Sequence, residues 1–182
     1  MSIPVRELGL LSVNGLWNAI MGGSGSNPNP ERDQSSTLLS QTPDLNAKAP
    51  DILVVEDSTT DVFLIREALE NAEVNANVHV ITDGHAAIQF FDAVEADENA
   101  RCPVLVLLDM NLPKRSGHEV LKHLRQSRRC REARVIIVSS SDAPRDRASV
   151  SELAVAGYFK KPSDYAAFMR LGALVKAVLE RS

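Results

Sequence analysis

The sequence predicts an α/β domain: a doubly wound parallel sheet of five strands with five helices, preceded by a largely disordered N-terminal extension. Three observations carry this. From residue 51 onward, five short runs rich in β-branched residues recur at intervals long enough to hold a helix. The segments between them repeat apolar residues every three to four positions, the period of a helix with one buried face. The first, third and fourth runs are almost continuously apolar, as strands covered on both sides must be. Strand and helix in alternation imply parallel neighbours joined by right-handed crossovers.

The strands are read in DILVVED (51 to 57), VHVIT (78 to 82), VLVLLD (104 to 109), VIIVSS (135 to 140) and GYFK (157 to 160). The first helix carries Val62, Ile65 and Leu69 on one face, and the second Ala87, Phe90, Phe91 and Val94. The third carries Val120, Leu121 and Leu124, and the fourth Val150, Leu153 and Ala154. A fifth, from about Ser163, presents Leu171, Leu174, Val175 and Val178. Ser58 with Asp61 three residues on has the form of a capping box, and Ser141 and Ser163 stand where N-caps are expected.

Residues 1–49 are read as a flexible extension and 50–182 as the folded domain. From Gly22 to Ala49 the chain is rich in Gly, Ser, Asn, Pro and Gln, with too little apolar content to offset the entropy of ordering it. Its GGSGS lacks both the preceding strand and the following Lys-Ser/Thr of a phosphate loop. Upstream, Val13, Leu16, Trp17 and Ile20 share one face of a short helix that Gly9 and Gly15 weaken; a loose leader and a docking helix both fit. LGLLSVNGLWNAIM is too interrupted for a signal peptide, and no apolar run reaches the length of a membrane span.

The chain has 182 residues, 44% hydrophobic and 24% charged, with a net charge of -4. That acidity argues against general nucleic-acid binding, which relies on Lys and Arg to neutralise phosphates. A local basic run between Lys114 and Arg134 reads as a solvated surface or as a dock for an acidic partner. Cys102 and Cys130 lack CxxC spacing, so neither a disulfide framework nor a zinc site is expected, and a reducing cytoplasm is the natural setting. His79, His85, His118 and His123 contain no i, i+4 pair and are not read as metal ligands.

In open α/β sheets, ligands bind beyond the carboxyl ends of the strands. Those ends carry Glu56 and Asp57 after the first strand, Asp109 after the third, Ser139 after the fourth, and Lys161 before Pro162 after the fifth. Three converging carboxylates repel one another unless a cation joins them, and hard oxygen donors suit Mg2+. Asp109 is then a competent nucleophile towards phosphorus, with Mg2+ and Lys161 neutralising charge and the Ser139 hydroxyl donating to a phosphoryl oxygen. An added phosphoryl group brings nearly two negative charges, enough to reorganise a neighbouring loop. Each residue has a plainer role open to it: Asp57 as a helix N-terminal acid, Lys161 as a surface lysine, Ser139 as a cap. Jointly those roles require a coincidence at one sheet edge.

VVEDSTTDVFLIREAL, LVLLDMNLPKRSGHEVL, VIIVSSSD and GYFKKP, in this order, resemble the receiver domain of two-component response regulators over about residues 51 to 181. DMNLPKRSGHEVL is similar in wording to single-domain regulators paired with phytochrome-type sensor kinases. The resemblance implies the flavodoxin-like receiver fold. It implies Asp109 as phosphoacceptor and a Mg2+ site formed by Glu56 through a water, Asp57, Asp109 and the backbone carbonyl of Asn111. It implies Ser139 as the switch hydroxyl, Lys161 as the phosphoryl-contacting lysine, Tyr158 as the aromatic that changes rotamer, and a cis bond from Lys161 to Pro162. Asn111 and Ser141 fall where the lifetime of the acyl phosphate is tuned.

The implied role is a cytoplasmic phosphoacceptor in a phosphorelay rather than an enzyme of another class. Its partners would be a sensor histidine kinase, of phytochrome type on the narrower similarity, or a phosphotransfer protein. A homodimer through the fourth helix, fifth strand and fifth helix is expected, with no nucleic acid and no membrane insertion. No output domain is read after Ser182, so output is expected through a non-covalent downstream partner whose identity is unknown. Two alternatives differ in kind. A haloacid-dehalogenase-type phosphohydrolase needs a second Asp where Asn111 stands, and a degenerate receiver used as a binding scaffold would not need the intact acidic residues.

Overall fold

The computed structural model describes residues 49–140 and 153–181. The residues 1–48, Ser141 and Val150 lie outside them, and with them most of the expected extension and of the expected fourth helix. The described elements, in chain order, are β1 (Asp51–Val55), α1 (Thr59–Asn71), β2 (Asn77–Ile81), α2 (Gly84–Ala96), β3 (Leu105–Leu108), α3 (Gly117–Gln126), β4 (Arg134–Ser139), β5 (Gly157–Lys160), α4 (Tyr165–Phe168) and α5 (Arg170–Glu180). All strand pairs are parallel, in the order β2-β1-β3-β4-β5. β1, β3 and β4, the strands paired on both sides, are the ones whose sequence is most continuously apolar.

Side-chain alternation divides the core in two. Leu53, Val55, Val106, Leu108, Val135 and Ile137 face the layer of Phe90, Phe91, Val94, Val120, Leu121 and Leu124 from α2 and α3. Ile52, Val54, Leu105, Leu107, Ile136 and Val138 face Ile65, Leu69, Phe168, Leu171, Val175 and Val178 from α1, α4 and α5. Gly172 lies where α5 crosses α1: a Cβ there would run into the Ala68 carbonyl and the Ala72 side chain. Burial of both sheet faces is the main favourable term, and it leaves the strand ends to hold polar groups.

The helix starts are capped by short polar side chains. Ser58 Oγ accepts from Asp61 N at 3.2 Å, and Asp83 Oδ1 from Ala86 N at 2.7 Å. At α3, Ser116 and Glu119 form a complete capping box. The last helix starts later than expected, because Asp164, and not Ser163, accepts from Ala167 N at 2.8 Å. It is also broken at Met169 into α4 and α5. Leu153 and Ala154 do not belong to a helix. Leu153 sits in a turn, Ala154 takes φ 49°, and the Arg125 guanidinium holds both carbonyls on the approach to β5.

The cysteines correct the sequence reading: Cys102 and Cys130 form a disulfide, with Cα atoms 5.3 Å apart across a separation of 28 residues. Local spacing carried no hint of it because the contact is tertiary. β3 and β4 pair in parallel, so the loops that enter them lie side by side. Of the basic run, Lys114, Arg115, Lys122, Arg128 and Arg131 are exposed, as a solvated surface requires, while the other three are drawn into the fold. Arg125 donates to the carbonyls of Leu153, Ala154, Arg131 and Ala133, and Arg129 to those of Val94, Asp97, Glu98 and Ala100. Arg134 reaches the Val178 carbonyl at the end of α5. These cations satisfy helix-end and loop carbonyls that would otherwise face water. No helix among the described residues is long and apolar enough to cross a membrane.

Candidate functional site

The sheet continues one residue beyond three of its strands, and this places the site. Glu56 N donates to Ile81 O at 2.9 Å, Asp109 N to Val55 O at 3.0 Å, and Lys161 N to Ser139 O at 2.8 Å. The backbone ladder therefore fixes Glu56, Asp109 and Lys161 before their side chains are considered. Behind Asp109, Gly117 N donates to Met110 O at 3.0 Å, and a Cβ on Gly117 would strike the Asp109 carbonyl. The turn after the third strand closes only around a residue without a side chain.

Glu56, Asp57 and Asp109 bring carboxylate oxygens within 4.8 Å of one another. Glu56 is 1% exposed and Asp109 6%, whereas Asp57 is open to solvent. Each buried oxygen has a donor. Glu56 Oε1 accepts from Ser58 N at 3.1 Å, and Asp109 Oδ1 from Asn111 N at 3.1 Å. The Lys161 ammonium donates to Glu56 Oε2 at 2.7 Å, Asp61 Oδ2 at 2.7 Å and Asp109 Oδ2 at 2.9 Å. Burial alone would lower the Lys161 pKa; the hydrogen bonds to Asp61, Glu56 and Asp109 outweigh it and hold the ammonium above the ordinary lysine value. Burial raises the Glu56 carboxyl above the ordinary glutamate value against the opposing pull of Lys161.

The predicted residues thus meet at one sheet edge, with two qualifications. Ser139 is fully buried at the end of β4, its carbonyl tied to Lys161 N. Tyr158 stands apart from the acids, within β5 opposite Ile137 and packed on the α2–α3 side of the core. The Lys161–Pro162 bond is trans, contrary to the expectation of cis, and the ammonium reaches all three carboxylates with this ordinary geometry. Sequence reasoning missed Asp61, taken for a capping partner of Ser58. Its place in the first turn of α1, the helix that follows the Glu56–Asp57 edge, was the one hint in sequence that it stood near the site.

Three clustered carboxylates with one solvent-facing member fit a hard divalent cation, whose ligands are oxygens and which retains water. The Lys161 ammonium neutralises part of their charge and lies against Asp109.

The profile of the response regulator receiver domain matches residues 52–171. The response regulator Rcp1 of Synechocystis is 36% identical over 110 residues, which cover 60% of this chain and 75% of that protein. Among solved structures, the phosphorylated cyanobacterial phytochrome response regulator RcpA aligns with a TM-score of 0.66 at 30% identity, covering 74% of this chain and 97% of that one. The Mn(2+)-bound form of Rcp1 aligns with a TM-score of 0.63 at 30% identity, covering 70% and 92%.

Proposed function

Because the chain belongs to the response regulator receiver family, we propose that Asp109 accepts a phosphoryl group from the phosphohistidine of a sensor kinase or phosphotransfer protein. An Asp109 carboxylate oxygen attacks phosphorus, an O–P bond forms as the N–P bond breaks, and the imidazole leaves with the bonding pair. The observation that carries the reading is the single constellation at Asp109: two further carboxylates within reach of a shared ion, and Lys161 Nζ at 2.9 Å.

Mg2+ would be held by Asp57, Asp109, the Asn111 carbonyl and, through water, Glu56; when bound it offsets the charge of the incoming phosphoryl oxygens. Lys161 supplies the second positive charge, and the buried Ser139 hydroxyl a donor to the phosphoryl group. Tyr158 follows Ser139 in the switch, altering the surface beside β5. A kinase of phytochrome type is supported by the likeness to RcpA, which is named as a cyanobacterial phytochrome response regulator. A cytoplasmic setting, where such kinases present their phosphohistidine, follows from the same reading. Self-association beside β5 and α5 is part of the proposal; most of the segment read from sequence as a fourth helix on that face lies outside the described residues.

Incubation with acetyl phosphate and Mg2+, followed by intact mass and hydroxylamine cleavage, tests the proposal. One labile phosphoryl adduct is expected on the wild type and none on Asp109→Asn. An equal adduct on both, or none on the wild type even with a cognate kinase, overturns it.

A further inference from the structure

We infer that Asp61 is a positioning residue for phosphoryl transfer: it anchors the Lys161 ammonium over Asp109 without serving as a metal ligand. The inference rests on the phosphoacceptor reading above and adds to it a residue that the metal cluster does not include.

The first argument is a contrast within the chain. At the start of α3, Glu119 returns to its cap in the usual way, its Oε2 accepting from Ser116 N at 2.9 Å. Asp61 occupies the same position relative to Ser58, and its N–H is likewise taken by the cap hydroxyl. Its carboxylate, however, does not return to the Ser58 N–H, which Glu56 Oε1 has taken. Asp61 is thereby released from helix capping and turned to Lys161 at 2.7 Å. The diversion costs α1 half of a capping box, so the lysine contact is no by-product of helix stability.

The second argument is donor arithmetic. An ammonium has three hydrogens, and here all three are committed, to Glu56, Asp61 and Asp109. Glu56 and Asp109 are also the two that a shared cation would draw on. When their oxygens turn to the ion and to phosphorus, Asp61 alone still holds Lys161, leaving its remaining hydrogens for the phosphoryl oxygens. Asp61 can do this because its side chain is 25% exposed at the site rim, where its charge is cheaper to keep than at Glu56.

The test is a double-mutant cycle on the rate of adduct formation from acetyl phosphate, with Asp61→Ala and Asp61→Asn each made in the wild type and in Lys161→Met. Loss of one charge-assisted hydrogen bond predicts a slowing of about tenfold for Asp61→Ala with Lys161 present, a smaller slowing for Asp61→Asn, and less than about twofold in Lys161→Met. A ratio between backgrounds below about fivefold overturns the inference. Calorimetric Mg2+ binding should differ less between Asp61→Ala and wild type than the rates do; a matching loss would assign Asp61 to the ion instead.

A second readout needs neither metal nor phosphate. Lys161 should be protected from amine-modifying reagent in the metal-free wild type and exposed in Asp61→Ala, with melting temperatures of the two proteins close; equal protection overturns the anchor. Absence of any adduct on the wild type would strike the phosphoacceptor reading and with it the role in transfer, while the labelling arm separately decides whether Asp61 anchors Lys161. If Asp61→Ala folds poorly, Asp61→Asn carries both arms, because it keeps the volume and the backbone cap.

Discussion

Lys161 Nζ lies 2.9 Å from Asp109 Oδ2, and the two residues, 52 positions apart, meet because each is the first residue past its own parallel strand. β3 and β5 are not neighbours: β4 separates them, and Ser139 at its end accepts the Lys161 backbone N–H. The lysine side chain must therefore cross over the end of β4 to reach the acid. Ser139 is buried beneath this crossing, which places the proposed switch hydroxyl between the phosphoacceptor and the strand that carries Tyr158. In the proposed switch, a charge change at Asp109 would reach β5 through Lys161 and Ser139.

The same crossing predicts a metal-dependent stability. Lys161→Ala leaves Glu56 and Asp109 buried without their cation, a loss of about 3 kcal/mol of the kind seen when one partner of a buried pair is removed. Mg2+ binds the native carboxylates and not the unfolded chain, so it should restore part of that loss. Urea denaturation of the two proteins with and without Mg2+ checks this: the deficit should shrink on adding the ion. Midpoints of both proteins that do not move on adding Mg2+ would mean that the carboxylates do not share an ion.

What the sequence made legible follows the range of the forces involved. Strand and helix identity rest on short-range periodicity, and the parallel sheet on alternation, so these were readable; so were Glu56, Asp57, Asp109, Ser139 and Lys161, which topology alone sends to one edge. Asp61 was not, because its competition between capping and Lys161 is decided by whether Glu56 takes the Ser58 N–H, a contact visible only in three dimensions. The Cys102–Cys130 bond was missed for a related reason, since cysteine spacing is informative within a motif and silent across paired strands. The basic run was readable as a surface at its exposed residues, but Arg125 and Arg129 give no sign in sequence of the carbonyls they cap.

The disulfide predicts a redox-dependent fold stability with little effect on phosphorylation. It joins the loops entering β3 and β4, at the edge of the sheet opposite Asp109, and closes a chain segment of 28 residues. Loop closure of that size stabilises by about 3.5 kcal/mol in the chain-entropy account. Reductant should lower the urea midpoint of the wild type and leave Cys102→Ser unchanged, while the rate of acetyl phosphate labelling stays within about twofold. A midpoint insensitive to reductant would mean that the bond does not form in solution.

Acid stability should depend on Glu95. The Arg128 guanidinium at 2.9 Å and then the Ser127 hydroxyl at 2.7 Å hold its carboxyl down to about 2, against an ordinary value of 4.5. A depressed folded-state value means that the native protein binds fewer protons than the unfolded chain, so the contribution is complete above pH 4.5 and is lost as the pH falls towards 2. Glu95→Gln should be less stable than wild type at neutral pH, and the two should converge across that interval. Denaturation midpoints taken from pH 6 down to the acid limit of folding check the sign; a gap that widens on acidification would contradict it.

Gly117 ties stability to the site more directly than any residue in the core. Its Cβ position is occupied by the Asp109 carbonyl and Met110 Cα, so the Gly117→Ala variant can fold only by moving the turn away from the end of β3. Overpacking of this sort costs about 2 kcal/mol. More tellingly, the displaced turn carries Asn111, whose N–H orients Asp109 Oδ1 and whose carbonyl belongs to the proposed ion site. Gly172→Ala forces a comparable collision where α5 meets α1, far from that turn, and provides the control. Both variants should lose similar stability in urea, but only Gly117→Ala should also weaken Mg2+ binding and slow adduct formation, by about tenfold if one positioning hydrogen bond is lost. Equal slowing in both would trace the defect to general loosening of the domain, and the turn would lose its assigned part in aiming Asp109.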